Sequence, residues 1–117
     1  MSIREIGISD FESSHPGDLK DKTCTAVMFF APWCGHCQAL KPQWKTLQDM
    51  RGFMKVVAFD CDVNQDFVAK IGKRYPGLIT GYPTILFYKN GKPVKKYTGE
   101  RTAQNILKSC MDICSKS

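Results

Sequence analysis

The sequence contains no apolar run that approaches the length of a membrane span. Its longest apolar stretch, residues 26–33, has only the length of a β-strand. The first residues carry Arg4 and Glu5, where a secretory leader would need an uninterrupted apolar region. The last four residues, CSKS, are not an endoplasmic-reticulum retention signal. We therefore expect no membrane association, and neither terminus shows a recognisable targeting signal.

The sequence also lacks the pattern of a nucleic-acid-binding surface. Its 17 Lys and Arg against 11 Asp and Glu give a net charge of +6. Much of this charge comes from Lys92, Lys95 and Lys96, around a predicted hairpin, and aromatic residues are not interleaved with these lysines. We expect a solvated basic face and no nucleic-acid partner, while attraction to acidic partners stays open.

No internal repeat, low-complexity tract or linker divides the 117 residues, so we predict a single domain over residues 1–117. Apolar patterning predicts strands at 3–6, 25–30, 55–59, 84–88 and 94–98, with Asn90-Gly91 as a hairpin turn. It predicts helices at 10–21, 34–51 and 102–114, and another around 67–71. The order βαβαβαββα predicts an α/β protein with a mixed central sheet and helices on both faces.

Two of the six cysteines, Cys34 and Cys37, are three positions apart, a spacing that is typical of functional cysteine pairs. Cys34 falls where the predicted strand has ended and a helix begins, so free N–H groups and the helix dipole should stabilise its thiolate. Cys37 follows one helical turn later on the same side, where it can attack a disulfide formed at Cys34. Gly35 permits a tight backbone, and His36 adds a group that can be cationic beside the thiolate. Trp33 is expected to form an apolar wall.

Two other interpretations of the pair are weaker. A zinc site would need a second pair of ligands, and the only candidates are Cys110 and Cys114, in a helix expected to end far from Cys34. A purely structural disulfide between Cys34 and Cys37 would close a very small loop and gain little stability. We therefore predict a redox pair and no metal site.

The segment FFAPWCGHCQALKPQW resembles the active site of the protein disulfide isomerase family, within the thioredoxin superfamily. Residues 81–106 resemble the last two strands of that family and the start of its final helix, so the resemblance covers nearly the whole chain. It implies a thioredoxin fold, with Cys34 as the nucleophile and Cys37 as the resolving cysteine. Pro83 matches a cis-proline that faces the pair, and Tyr82 matches the residue whose backbone pairs with a substrate peptide. Arg101 matches an arginine that lowers the pKa of the resolving cysteine.

The sequence departs from the family beneath the pair. Met28 stands where relatives usually have a buried acid that accepts a proton, and Ala58 stands where many have its lysine partner. Because an acid and its lysine are both replaced by apolar residues, neither charge is left buried alone. Our hypothesis is that this protein resolves mixed disulfides slowly.

The resemblance implies a thiol–disulfide oxidoreductase and isomerase that acts on cysteine-containing polypeptides, as a monomer and without a bound cofactor. Its redox equivalents would come from glutathione or a redox partner protein. A thioredoxin-like reductant and a chaperone-like peptide-binding module remain alternatives. The CGHC site resembles residents of the oxidising secretory pathway, but a cytoplasmic, viral or parasite setting stays open. Cys24, Cys61, Cys110 and Cys114 are expected to be packing residues, and a disulfide between Cys24 and either Cys110 or Cys114 stays open as an alternative if the family topology holds.

Overall fold

A computed structural model describes residues 3–50 and 52–116 of the chain. Its elements, in chain order, are β1 (Glu5–Ile6), β2 (Thr25–Phe30), α1 (Gly35–Met50), β3 (Lys55–Asp60), α2 (Gln65–Arg74), β4 (Thr84–Lys89), β5 (Lys92–Tyr97) and α3 (Ala103–Cys114). A short 3-10 turn, Ile8–Asp10, follows β1. None of the described helices is both long and apolar enough to cross a bilayer.

The strands form one mixed sheet in the order β1-β3-β2-β4-β5. β1, β3 and β2 run parallel, and β4 and β5 continue the sheet antiparallel. β2 lies in the middle and all six of its residues are buried, which explains its continuous apolar sequence. The turn between β4 and β5 has positive φ at both Asn90 and Gly91, as a two-residue hairpin requires. The predicted mixed sheet and hairpin are confirmed.

The two faces of the sheet are covered by different helices. On one face, α1 and α3 contribute Leu40, Trp44 and Ile106 to a cluster that also contains alternate residues of β2. On the other face, Ile71 of α2 packs with Val27 and Phe29 of β2 in a second cluster. Both faces of the sheet are therefore buried against helices, as the sequence pattern predicts.

The predicted helix at 10–21 is wrong. Beyond the 3-10 turn this segment is a loop, whose ends are joined by an isolated bridge between Phe11 and Leu19. Pro16 and Gly17 interrupt it, and Gly17 has a φ of +102°, outside the helical region. Phe11 and Leu19 are nonetheless buried, in the cluster that contains Ile71. The apolar residues of the segment thus serve the core without forming a helix.

A disulfide between Cys24 and Cys114 ties the start of β2 to the last residue of α3. The Cα atoms of the two residues are 6.0 Å apart, and 90 positions separate them in sequence. Of the two partners that the sequence left open for Cys24, the structure selects Cys114.

Candidate active site

The cysteine pair lies at the C-terminal end of the central strand. The N–H of Gln38 donates to the carbonyl of Cys34 at 3.1 Å, so Cys34 is the N-cap of α1 and the helix itself begins at Gly35. The backbone N–H of Cys37 donates to Cys34 Sγ at 3.3 Å. The sulfur of Cys34 therefore accepts a hydrogen bond in the way a capping side chain does, at the positive end of the helix.

These contacts separate the acidities of the two thiols. Burial alone would raise the pKa of Cys34, but hydrogen bonds from Cys37 and from the backbone N–H of His36, with the charge of Arg101, lower it below the ordinary value. Burial, together with the neighbouring Cys34, raises the pKa of Cys37 to about 11, against lowering effects of the Ala31 backbone and of the charge of Arg101. Cys34 is thus the more acidic thiol of the pair, and Cys37 the less acidic one.

Exposure distinguishes the two sulfurs as well. Cys34 is 8% exposed and Cys37 is fully buried. Both are free thiols, so the structure shows the dithiol form. Of the two sulfurs, only that of Cys34 is therefore partly accessible to an incoming sulfur.

The segment before β4 faces the pair. The Tyr82–Pro83 peptide bond is cis, as the resemblance implies. The thiol of Cys34 donates to the carbonyl of Tyr82 at 3.3 Å. Pro83 and Arg101 line one open cleft of about 580 Å³. The structure therefore brings Cys34, Tyr82, Pro83 and Arg101 together, although Arg101 is nearly 70 residues away from Cys34 in sequence.

Trp33 lines a neighbouring cleft, which it shares with Asp62 and Tyr82. Its side chain is 67% exposed, and its ring meets that of Tyr82 edge to face with centroids 6.2 Å apart. The indole Nε1–H donates to Asp62 Oδ1 at 2.9 Å, which fixes the ring. Asp62 was not among the site residues predicted from the sequence. Because β2 and β3 are parallel, Trp33 and Asp62 follow strands that end at the same edge of the sheet, and this is the signal that could have found the contact.

His36 differs from the expectation in one respect. Its side chain is exposed, and its contribution to the pKa of Cys34 is a hydrogen bond from the backbone N–H. Any residue with an N–H at this position would supply that hydrogen bond. Gly35, the first residue of α1, is also exposed, and no atom outside the local chain lies within 4 Å of where a Cβ would be. The space around Gly35 therefore does not demand glycine.

Cys61 lies next to the site, but its environment makes its thiol unreactive. Burial raises the pKa of Cys61 to about 12, and the charge of Asp60 raises it too. The residue is 1% exposed, and its N–H donates to the carbonyl of Phe30 at 2.8 Å. These observations agree with a packing role for Cys61.

No buried acid accompanies Cys37 in the described part of the chain. Met28 and Ala58 are fully buried in the same cluster as Cys37, and they are direct neighbours across β2 and β3. Among the described residues, the only buried carboxyl belongs to Asp18, which contacts Tyr75, on the other face of the sheet.

The fold and this cysteine pair define a thioredoxin-like domain, and comparison with known proteins gives its family. Residues 9–112 match the thioredoxin family model, and the chain belongs to this family. It is 35% identical over 106 residues to protein disulfide-isomerase A3 of Gallus gallus, an alignment that covers 90% of this chain and 19% of that protein. It is 38% identical over 97 residues to protein disulfide-isomerase like 2-2 of Arabidopsis thaliana, covering 78% of this chain and 20% of the relative.

Among solved structures, the Trx4 domain of ERdj5 superposes with a TM-score of 0.73 at 24% identity, covering 97% of this chain and 96% of that one. The likeness shows a thioredoxin fold, which confirms the predicted fold class. The chain spans about a fifth of the length of the curated relatives it matches. The family similarity supports thiol–disulfide oxidoreductase chemistry as its general class of activity.

Proposed function

We propose that this chain is a single-domain thiol–disulfide oxidoreductase of the protein disulfide isomerase type, which oxidises and isomerises disulfides of polypeptides. The observation that carries the proposal is the N-cap position of Cys34, whose sulfur accepts the N–H of Cys37 and faces the carbonyl of Tyr82. A nucleophile with a lowered pKa is thereby placed beside an open stretch of backbone.

In the oxidising direction, a substrate thiolate attacks Cys34 Sγ of the Cys34–Cys37 disulfide, and Cys37 leaves as a thiolate that takes up a proton. A second substrate thiolate then attacks the substrate sulfur of the mixed disulfide and releases the Cys34 thiolate. In isomerisation, the Cys34 thiolate attacks a substrate disulfide directly, and a different substrate thiol or Cys37 ends the mixed disulfide. The redox equivalents come from glutathione or a redox partner protein.

The substrate peptide is proposed to lie in the cleft beside Pro83. In the free protein, the carbonyl of Tyr82 accepts a hydrogen bond from the thiol of Cys34. When a substrate peptide binds as an added strand, one of its backbone N–H groups donates to this carbonyl instead. Trp33 and Tyr82 provide aromatic surface for side chains next to the substrate cysteine. We propose that the domain acts as a monomer on such peptides.

Two features favour an oxidising setting, such as the endoplasmic reticulum, over a reducing one. Stabilising the Cys34 thiolate favours the dithiol form, which makes the disulfide a better oxidant. A Cys24–Cys114 disulfide far from the site is typical of proteins in oxidising compartments. The competing function is a thioredoxin-like reductant with the same residues and the reverse direction.

The reduction potential of the Cys34–Cys37 pair tests the proposal. It is measured in glutathione buffers by the fluorescence of the adjacent Trp33, with a Cys34→Ser, Cys37→Ser variant as the baseline. We expect a value near the about −180 mV typical of disulfide isomerases, together with reactivation of a scrambled disulfide protein. A value near the about −270 mV of thioredoxin would support the reductant instead.

A peptide-binding module is a second candidate function, because neither Cys34 nor Cys37 is among the residues that line the cleft of about 580 Å³. In that case the variant without Cys34 and Cys37 would suppress aggregation of an unfolded substrate as well as the natural chain does. Loss of that effect together with redox activity would leave the oxidoreductase as the function.

A further inference from the structure

A second group of cysteines lies at the opposite end of β2 from the active pair. Cys24 directly precedes β2, while Cys110 and Cys114 lie in the last turns of α3. The sulfur atoms of these three residues all lie within 4.8 Å of one another. The thiol of Cys110 is 3.9 Å from Cys114 Sγ, so the Cys24–Cys114 disulfide has a third sulfur directly against it. We call Cys24, Cys110 and Cys114 the cysteine corner. Because β2 has six residues, roughly 20 Å of strand separates this corner from Cys34.

The spacing of these sulfurs suits a metal ion. Zinc–sulfur bonds of about 2.3 Å at tetrahedral or trigonal angles place two thiolate sulfurs about 3.8–4.0 Å apart. Cys110 and Cys114 already have this separation, because residues i and i+4 lie on one face of a helix. When the disulfide is reduced, the sulfur of Cys24 needs to retreat by only about 2 Å to reach the same spacing.

We propose that Cys24, Cys110 and Cys114 bind one thiophilic metal ion, such as Zn²⁺, once a dithiol reductant has opened the Cys24–Cys114 disulfide. In the reduction, the reductant becomes a disulfide and its two electrons and two protons pass to Cys24 and Cys114. The metal then displaces the protons of three thiols and is held by three thiolates. Thiolate donors favour Zn²⁺ or Cu⁺ over Mg²⁺ or Ca²⁺.

The surroundings fit such a site. Cys110 is fully buried in the core cluster, while Cys24 and Cys114 are only half-buried and leave an approach from solvent. Solvent water would complete the coordination of the ion on that side. Three thiolates around Zn²⁺ carry one net negative charge. This charge lies at the C-terminal end of α3, where the free carbonyl groups of the helix are also partly negative. The ammonium group of Lys89, 3.3 Å from the carbonyl oxygen of Ile113, supplies positive charge at that end.

The oxidised corner cannot bind the ion, because Cys24 and Cys114 are then joined to each other. The same three residues would therefore hold a disulfide in an oxidising setting and a metal in a reducing one. This inference does not depend on the redox activity of Cys34 and Cys37, because it concerns other sulfurs at the other end of the sheet.

The test uses the full chain with Cys34→Ser and Cys37→Ser, so that the active pair cannot bind metal. The protein is reduced, freed of reductant without oxygen and titrated with Co²⁺, whose thiolate charge-transfer absorption reports sulfur ligation. Zn²⁺ then displaces the Co²⁺. We expect saturation at one Co²⁺ per chain in the reduced protein and no such absorption in the oxidised protein.

Cys110→Ala should lower the affinity at least tenfold, since even loss of a partner of a ligand costs about 10–100-fold. The matched control is Cys61→Ala, which removes another buried cysteine and should leave the titration unchanged. The proposal is overturned by a reduced chain that gives no thiolate absorption, or by an unchanged affinity in Cys110→Ala.

A measurement without substitutions in the corner covers the case in which Cys110→Ala fails to fold. Alkylation of the reduced chain, read by mass spectrometry, should show Cys24, Cys110 and Cys114 protected by one equivalent of Zn²⁺. Cys61 should react at the same rate with and without the metal. Equal alkylation of the half-buried Cys24 and Cys114 with and without Zn²⁺ would also overturn the proposal.

Discussion

Met28 on β2 stands directly beside Ala58 on β3 in the parallel register of the sheet, and both side chains are fully buried. They belong to the same apolar cluster as Cys37. Cys37 must lose a proton before it can attack a mixed disulfide, yet burial raises its pKa to about 11. An apolar pair at this position thus preserves the core without giving Cys37 a proton acceptor.

Met28→Glu should speed the release of a mixed disulfide from Cys34, because a carboxylate near Cys37 can accept its proton. We expect a gain of about a hundredfold at neutral pH, at the low end of general-base catalysis. The unpaired polar group should lower the free energy of unfolding by about 1–3 kcal/mol. Stopped-flow decay of a mixed disulfide between Cys34 and a peptide measures the rate.

Met28→Gln is the matched control, since it adds a polar group of similar size that is not a base. It should lose similar stability and gain no speed. If Met28→Glu and Met28→Gln resolve the mixed disulfide equally fast, the missing acid does not limit the natural chain.

Arg101→Gln should make both active-site thiols less acidic. The guanidinium of Arg101 lowers the pKa of Cys34 and Cys37, so its removal raises both. The pH profile of Cys34 alkylation should therefore move to higher pH, and release of the mixed disulfide at neutral pH should slow severalfold. Lys96→Gln removes an equal charge from the same cleft. A shift of the same size in Lys96→Gln would assign the effect to general charge and not to Arg101.

Trp33→Ala should weaken peptide binding without destabilising the fold. Because the indole is 67% exposed, its loss should change the free energy of unfolding by at most about 0.5 kcal/mol. As an aromatic contact for the substrate it should be worth about 1–2 kcal/mol, which raises KM for a cysteine-containing peptide about five- to thirtyfold. Phe53→Ala, at a 56% exposed aromatic residue between α1 and β3, is the control. Equal KM values for Trp33→Ala and the natural chain would remove Trp33 from the peptide site.

Asp18→Asn should lower the free energy of unfolding, because the Asp18 carboxylate holds the loop before β2 in place. Burial alone would raise the pKa of Asp18, but hydrogen bonds from Tyr75, Arg74 and Lys92 outweigh it and lower the pKa below 3.8. The stability from this carboxylate is therefore present above about pH 4 and lost as the pH falls through the lower folded-state pKa. At pH 7 we expect a loss of about 1–3 kcal/mol in urea unfolding.

The difference between Asp18→Asn and the natural chain should shrink as the pH is lowered below about 4. Asp21→Asn is the comparison, because Asp21 forms an exposed salt bridge with Lys55 at 2.9 Å. Its removal should cost no more than about 1 kcal/mol. Equal losses in the two variants would contradict an anchoring role for Asp18.

Local pattern was sufficient for most of the fold. β2 has the same bounds as the predicted strand, 25–30, because every one of its residues is buried and apolar character runs through it unbroken. The helix predicted over 10–21 failed because Phe11 and Leu19 are spaced as a helix would space them, but are brought to the core by a loop that turns at Gly17. Spacing alone could not separate these two arrangements.

Some features of the candidate site could likewise be predicted from local sequence, and others could not. The positions of Cys34 and Cys37 at the start of α1 were predictable, since a strand end, a helix start and a three-residue spacing are local properties of the chain. The contacts of Trp33 with Asp62 and of Cys34 with the carbonyl of Tyr82 join separate segments. They exist because parallel β2 and β3 end at the edge where antiparallel β4 begins.

The sequence by itself determined a cysteine pair at the start of a helix and left Cys24 with two possible partners. Only the tertiary structure chose Cys114 and placed Cys110 against the resulting disulfide. The reason is physical: helical spacing fixes Cys110 relative to Cys114, but the packing of α3 against the sheet decides which of them meets Cys24. In the same way, an apolar residue at position 28 is visible in the sequence, whereas its burial beside Ala58, in the cluster of Cys37, is a property of the folded sheet.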